Sequence, residues 1–339
     1  MSTLTDVARL AGVSTMTVSR VINNSGYVSP EARARVTMAI AELGYMPNVL
    51  ARQLRSKRTK TIALVLTDIA NPFFTTIARG VEDAARAQGY AVMFCNTDES
   101  EVEEIEYVRV LIQRQVDGVL LVPATDSSAS LPLLHKHGLP VVVLDRRHSG
   151  GGVDEVRTDS EAGAHAAVRH LLDLGHRRIA VLTGPPTVST SADRVAGYRR
   201  AILEEGLGFA NEVVVFGGYN ETSGYEMTRR ILETEPRPTA LFAANNFIAF
   251  GAIRALREAG LRTPDEMSIA VFDDLPPGWV FDPFLTVVSQ PAYEIGKQAA
   301  ELMLERLAGK APAEPRTIVL PSELIIRGST KHLAREAVA

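Results

Sequence analysis

The stretch TLTDVARLAGVSTMTVSRVIN, residues 3–23, constrains this chain more than any other segment. Leu4, Val7, Ala8 and Ala11 recur at helical spacing, Thr3 is placed to cap the helix start, and Asp6 completes a capping-box-like pair. Gly12 stands where two helices must turn sharply. Ser14 then offers the N-cap of a second helix with Val18, Val21 and Ile22 on one face. The opposite face carries Thr15, Met16, Ser19, Arg20 and Asn23. Apolar anchors behind, with short polar groups and an arginine in front, suit a DNA major groove, where arginine pairs with guanine and methyl-bearing side chains meet thymine. Ser29-Pro30 begins a third helix, with Val36, Ile40 and Leu43 on its buried side and Gly44 at its end. These three helices define an all-α helix-turn-helix head over residues 1–46.

The competing reading makes 1–46 a helical cap on a larger domain and Arg20 a solvated surface charge. Charge argues against it. Residues 1–60 hold nine Lys/Arg against three Asp/Glu, a charge of +6, whereas the whole chain stands at −4, so the remainder carries −10. A basic head on an acidic body is the footprint of a nucleic-acid module joined to something else. Between them, residues 47–60 form a basic hinge and linker. Asn48 to Ser56 spans about two helical turns, too short to be stable alone in water. Leu50 and Leu54 form an i, i+4 pair, and Ala51 is small enough for a close crossing with a symmetry mate. Such a helix folds when held, and an exposed leucine on it can wedge into a minor groove.

From residue 61 the pattern alternates strand and helix. TIALVLT, YAVMFC, DGVLLVP and PVVVLD form one series; RRIAVLTG, EVVVF, TALFAA, SIAVFDD and LTVVSQP form a second after residue 160. Continuous Val/Ile/Leu strands separated by helices predict parallel sheets covered on both faces, here two doubly wound lobes. Ligands of such sheets bind beyond the carboxyl ends of the strands. That rule selects Phe73, Phe74, Asp145, Thr183, Asn245 and Asp273, with Arg194 in the helix after the GPP loop. An aromatic face, an arginine and a carboxylate together recognise polyols through stacking and directional hydrogen bonds. Phe74 could serve the core instead, Asp273 could exchange roles with Asp274, and Arg194 could be a surface ion-pair partner.

Other classes find little support. No GxGxxG follows a first strand, and neither GxxxxGK[ST] nor GxSxG occurs, so no nucleotide cofactor, metal or catalytic residue is expected. His135 and His137 fall in a region read as loop, and His165 and His170 lie five apart on a helix; neither spacing suits a metal. The lone Cys95 permits no internal disulfide. Neither a signal peptide nor an apolar membrane span is apparent, so a cytoplasmic protein is expected.

The motifs DVARLAGVSTMTVSRVIN, YMPNVLARQLRS, NPFF, LGHRRIAVLTGP and VFDD occur in an order that resembles the LacI/GalR family of bacterial transcriptional repressors across the whole chain. The resemblance implies a head that binds a near-palindromic operator duplex as a homodimer, with Thr15, Met16 and Arg20 on the bases and Leu54 intercalating from the hinge. The full DNA-facing set is then Thr5, Ser14, Thr15, Met16, Thr17, Ser19, Arg20, Asn23, Asn48, Ala51 and Leu54. It also implies a core, 61–339, of periplasmic-binding-protein type, with lobe 1 at about 61–160 and 291–322 and lobe 2 at about 161–290 and 323–339. Between the lobes a small effector, a sugar or sugar derivative, would meet Phe73, Asp145, Asp159, Arg194, Tyr219, Asn245 and Asp273. Purine-binding members carry arginine where this chain has Val188, and Asn245-Asn246 departs from the commoner Asn-Asp pair. The tail GSTKHLAREAVA lacks leucine heptads, against a tetramer. A catabolite-control regulator using a protein co-regulator, or a sugar-binding protein with no DNA role, remain alternatives.

Overall fold

The structure, a computed structural model, describes residues 2–46, 58–208, 212–276 and 282–333. It divides into two compact units, residues 1–59 and 60–339.

In the first unit, α1 (Leu4–Ala11), α2 (Thr15–Ile22) and α3 (Pro30–Leu43) enclose Val7, Ala8, Ala11, Val18, Val36 and Ala39. The capping box closes in both directions: the Asp6 amide donates to Thr3 Oγ1 at 3.2 Å, and the Thr3 amide donates to Asp6 Oδ2 at 2.9 Å. Gly12 ends α1 at φ +62°, a left-handed conformation that glycine adopts without steric penalty. Ile40 and Leu43 pack at the margin of this core, whereas Ala39 is buried within it. A small side chain there lets three short helices approach closely.

The second unit begins with β1 (Thr61–Leu66), α4 (Pro72–Ala87), β2 (Ala91–Asn96), α5 (Glu101–Gln113), β3 (Gly118–Leu121), α6 (Ser130–Lys136), β4 (Val141–Leu144) and β5 (Asp154–Thr158). It continues with α7 (Ser160–Asp173), β6 (Ile179–Thr183), α8 (Ser189–Glu204), β7 (Val213–Phe216), α9 (Glu221–Leu232), β8 (Ala240–Ala243), α10 (Asn246–Glu258), β9 (Ser268–Phe272) and β10 (Thr286–Ser289). α11 (Ala292–Leu307), β11 (Thr317–Leu320) and β12 (Glu323–Ile325) complete it. One sheet runs β11-β5-β4-β3-β1-β2, all parallel; the other runs β12-β10-β9-β8-β6-β7, parallel except for β12 against β10. Each sheet has an apolar cluster on both faces, as parallel strands require.

The chain passes from one sheet to the other after β5, between β10 and α11, and between β11 and β12. α11 therefore packs on the first lobe, against α4, at very close range. A Cβ on Gly80 would stand 2.1 Å from the Tyr293 carbonyl oxygen, and one on Gly296 would stand 2.0 Å from that of Ile77. Only glycine allows this approach. Strands β5 and β12 carry no long apolar run: DEVRT alternates with charge, and ELI spans three residues. His135 lies in the last turn of α6 and His137 caps it, so this pair lies on a helix end rather than in the loop its sequence suggests.

Candidate functional site

Two carboxylates occupy matching places in the two lobes. Asp145 follows β4 and Asp273 follows β9, each with a left-handed backbone, φ +60° and +73°. Each amide still pairs to the neighbouring strand, Asp145 N–H to Val156 O and Asp273 N–H to Val288 O, both at 2.9 Å. The pairing continues the sheet while the positive φ turns the side chain out of it. A non-glycine residue at positive φ costs on the order of 1 kcal/mol or more, and such strain concentrates at functional sites.

Both carboxylates line a cavity between the lobes together with Asp68, Asn71, Phe73, Phe74, Glu99, Arg146, Thr190, Arg194, Tyr219 and Asn245. Arg194, 3% exposed, lies 3.8 Å from the Phe272 ring centroid and donates to the Ala244 carbonyl. Arg146 donates to Glu99 at 2.7 Å and to the Pro123 carbonyl at 3.0 Å. Tyr219 hydroxyl is shared with Ser191 at 2.7 Å and Thr190 at 3.1 Å. Phe73 and Phe74 meet edge to face at 5.2 Å and belong to the core of lobe 1 while also bounding the cavity. Asn245 bounds it too, but its amide is spent within lobe 2: Oδ1 caps α10 through the Ile248 amide at 2.8 Å, and Nδ2 donates to the Tyr219 carbonyl at 3.3 Å.

Burial pushes the Asp273 carboxyl up to about 6, against the pull of Arg194 and a hydrogen bond from Gln290. Burial likewise raises Asp145, opposed by Arg146 and Arg194. For Arg146, burial opposes the charge, but Glu99, with Tyr219 and Asp145, more than restores it. Three buried polar atoms on the lining make no hydrogen bond within the protein: Asp145 Oδ1, Arg194 Nε and Arg146 Nε, the last standing 3.9 Å from Asp145 Oδ2. One must accept a hydrogen bond and two must donate. The void left among these side chains is about 20 Å³, room for about one water molecule, so a sugar-sized ligand enters only if the lobes part.

Asp159 is not part of this cavity. It is exposed at the start of α7, where Oδ1 accepts from the Ala162 amide at 2.9 Å, because β5 delivers it to the chain crossing rather than to the cleft. Asp274 points away as well, pairing with Arg327 at 2.6 and 2.8 Å. Val188 is buried in the core of lobe 2. Asn71, Glu99 and Arg146 escaped the sequence reading, although Glu99 and Arg146 obey the rule that selected Asp145: each lies just past a strand end.

In the first unit, α2 presents Thr15, Met16, Arg20 and the capping Asn23 to solvent, Met16 at 57% exposure. Thr5 and Ser14 are exposed, and Thr17 and Ser19 half-buried. Ser14 caps α2, its Oγ accepting from the Thr17 amide at 3.2 Å, and Asn23 Nδ2 donates to the Ser19 carbonyl at 2.8 Å. Asn48, Ala51 and Leu54 lie outside the described residues. Among the described residues, no group of three or more His, Cys, Asp or Glu is placed to hold a metal ion, and no helix is long and apolar enough to cross a membrane.

Residues 3–48 match the family described as "Bacterial regulatory proteins, lacI family", and residues 59–328 match "Periplasmic binding proteins and sugar binding domain of LacI family". The ribose operon repressor of Halalkalibacterium halodurans is 39% identical over 331 residues, covering 98% of each chain. The HTH-type transcriptional repressor PurR of Photobacterium profundum is 35% identical over 334 residues, 98% of this chain and 100% of the relative. Among solved structures, a transcriptional regulator CelR-cellobiose complex aligns with TM-score 0.74 and 34% identity over 97% of this chain and 100% of that one. The Lac repressor dimer bound to operator and the anti-inducer ONPF aligns with TM-score 0.85 and 28% identity, over 97% and 99%. The chain belongs to the LacI family of bacterial regulatory proteins.

Proposed function

We propose that this protein is a non-catalytic, cytoplasmic transcriptional repressor whose cleft takes a small neutral sugar as effector. In this reading the heads, residues 1–46, of a homodimer read a pseudo-palindromic operator through Thr5, Ser14, Thr15, Met16, Thr17, Ser19, Arg20 and Asn23. The linker 47–60, with Asn48, Ala51 and Leu54, ties them to the core, 61–339. Phe73, Asp145, Arg194, Tyr219, Asn245 and Asp273 bound the effector cleft, with Asn71 and Arg146 added and Asp159 removed.

The observation that carries the effector class is the set of three unpartnered buried atoms. Asp145 Oδ1 needs a donor, while Arg146 Nε and Arg194 Nε need acceptors. Hydroxyl groups satisfy both demands, since each donates once and accepts through its lone pairs. The lining holds four carboxylates, Asp68, Glu99, Asp145 and Asp273, against the guanidiniums of Arg146 and Arg194. That balance disfavours phosphates and sugar acids and favours an uncharged polyol. Phe73 and Phe74 supply the apolar face. Ribose is the first candidate: the related repressor from Halalkalibacterium halodurans is a ribose operon repressor, and a LacI family regulator from Enterococcus faecium, 33% identical over 81% of this chain with TM-score 0.73, was solved with bound ribose.

A ligand that changes the separation or twist of the lobes changes the relation of the two linkers in a dimer, and operator and effector must then alter each other's affinity equally. Fluorescence anisotropy of the protein on a palindromic duplex from its own upstream region, repeated with ribose, other neutral sugars, sugar phosphates, sugar acids and purines, tests this. Salt-dependent binding changed by a neutral sugar alone is expected. Specific binding that responds to purines or phosphates would overturn the effector class, and absence of duplex binding would overturn the repressor reading.

A further inference from the structure

Asn71 and Asn246 face each other across the lobes. Asn71 precedes α4 in lobe 1, and Asn246 is the first residue of α10 in lobe 2. They are 4% and 1% exposed. Asn71 Nδ2 donates to Asn246 Oδ1 at 3.3 Å, and Asn246 Nδ2 donates to Asn71 Oδ1 at 3.2 Å. The Phe73 amide also donates to Asn71 Oδ1, at 3.0 Å, which fixes which end of that amide turns toward Asn246. Asn71 borders the cavity and Asn246 does not. We infer that this reciprocal amide pair is a clasp between the lobes, through which Asn246 sets how tightly the cleft holds a ligand that it does not itself touch. The inference rests on the effector reading of the cleft.

The magnitude fits a bias rather than a lock. Parting the lobes hydrates both amides, so each bond contributes only its net value, roughly twofold to tenfold in an equilibrium constant. Two such bonds shift the lobe equilibrium about tenfold toward the arrangement seen here, whose void takes about one water, so they compete with a sugar-sized ligand and its apparent affinity falls as that population grows. The pair carries no charge at any ordinary pH, unlike the carboxylates beside it. A second, separate set of contacts joins the lobes elsewhere: the Ser189 amide donates to Asp126 Oδ1 at 2.7 Å, and the Arg147 amide donates to Ser189 Oγ at 2.8 Å. Opening at that second set reports on the clasp from a distance.

The test uses the full-length protein and two variants. Asn246→Ala removes both bonds. Asn246→Asp keeps an acceptor for Asn71 Nδ2, places a carboxylate oxygen against Asn71 Oδ1, and suits the start of a helix, so it should fold even if the alanine variant does not. Amide hydrogen exchange is followed in the segment 186–193 without ligand and with saturating D-ribose, alongside calorimetric ribose titration. The expectation is exchange about tenfold faster than wild type in ligand-free protein and ribose affinity raised about tenfold. In the aspartate variant, both differences from wild type at the same pH should shrink as the pH falls from about 8 to about 5, because a neutral carboxyl can again donate to Asn71. Unchanged exchange at 186–193 in the ligand-free variants overturns the clasp. If wild type takes up no ribose, the effector assignment fails, while the ligand-free exchange still decides the clasp by itself.

Discussion

Replacing Asp273 by asparagine should make the folded protein more stable at neutral pH while weakening its ligand response. The carboxyl is buried, and burial lifts it from an ordinary 3.8 to about 6 despite Arg194 and Gln290. A group whose folded value exceeds its unfolded one contributes stability below the unfolded value and loses it as pH rises through the folded value. Here that window runs from about 4 to about 7. A rise of about two pH units corresponds to about 3 kcal/mol at its upper end. Asparagine mimics the neutral acid, tolerates the left-handed backbone that Asp273 adopts at φ +73°, and never ionises. Thermal unfolding of the two proteins should therefore coincide near about pH 4 and diverge above it. The variant should melt about 6 °C higher by about pH 7.5, at about 2 °C per kcal/mol for a unit this large. Loss of a charge-assisted hydrogen bond should meanwhile weaken ribose binding by about tenfold or more, with operator affinity in ribose-free buffer unchanged. Parallel melting profiles at every pH, or a less stable variant at neutral pH, would refute the reasoning: Arg194 and Gln290 would then favour the charge more than burial opposes it.

Arg20→Ala should reduce preference for operator over random duplex by about 1–3 kcal/mol per half-site in anisotropy competition, leaving nonspecific binding largely intact; equal loss on all duplexes would exclude base readout. His176 is hydrogen-bonded to Thr239 Oγ1 at 2.8 Å and to Ser268 Oγ and the Lys331 carbonyl, both at 3.1 Å, and burial holds it and His170 below their ordinary 6.5. Because the unfolded chain takes up these protons first, stability should fall as pH drops below about 6.5, and His176→Gln should flatten that slope in thermal melts. Gly296→Ala forces a Cβ to 2.0 Å from the Ile77 carbonyl and should lower stability by about 1–3 kcal/mol or prevent soluble expression, whereas an alanine at the unobstructed, exposed Gly208 should not.

The sequence was most legible where local chemistry alone determines the outcome. Thr3 and Asp6 close a capping box because the partners are three residues apart, and nothing distant is needed. The apolar strands β1, β3, β4, β6, β8 and β9 announce themselves because a strand buried on both faces must be apolar throughout. Strand β5 did not, since its Asp154 is buried and answered by Arg306 and Arg316, both supplied from some 150 residues away in sequence, on α11 and just ahead of β11. The cleft divides the same way. Asp145 and Asp273 follow from a strand-end rule applied to single segments. Asp159, which only the family resemblance put in the cleft, caps α7 instead, because which strand end faces the cleft depends on where the chain crosses between lobes. Asn71 and Asn246 defeat local reading altogether: each looks like a residue at a helix start, and only the folding of two sheets onto one cleft makes them partners, 175 positions apart.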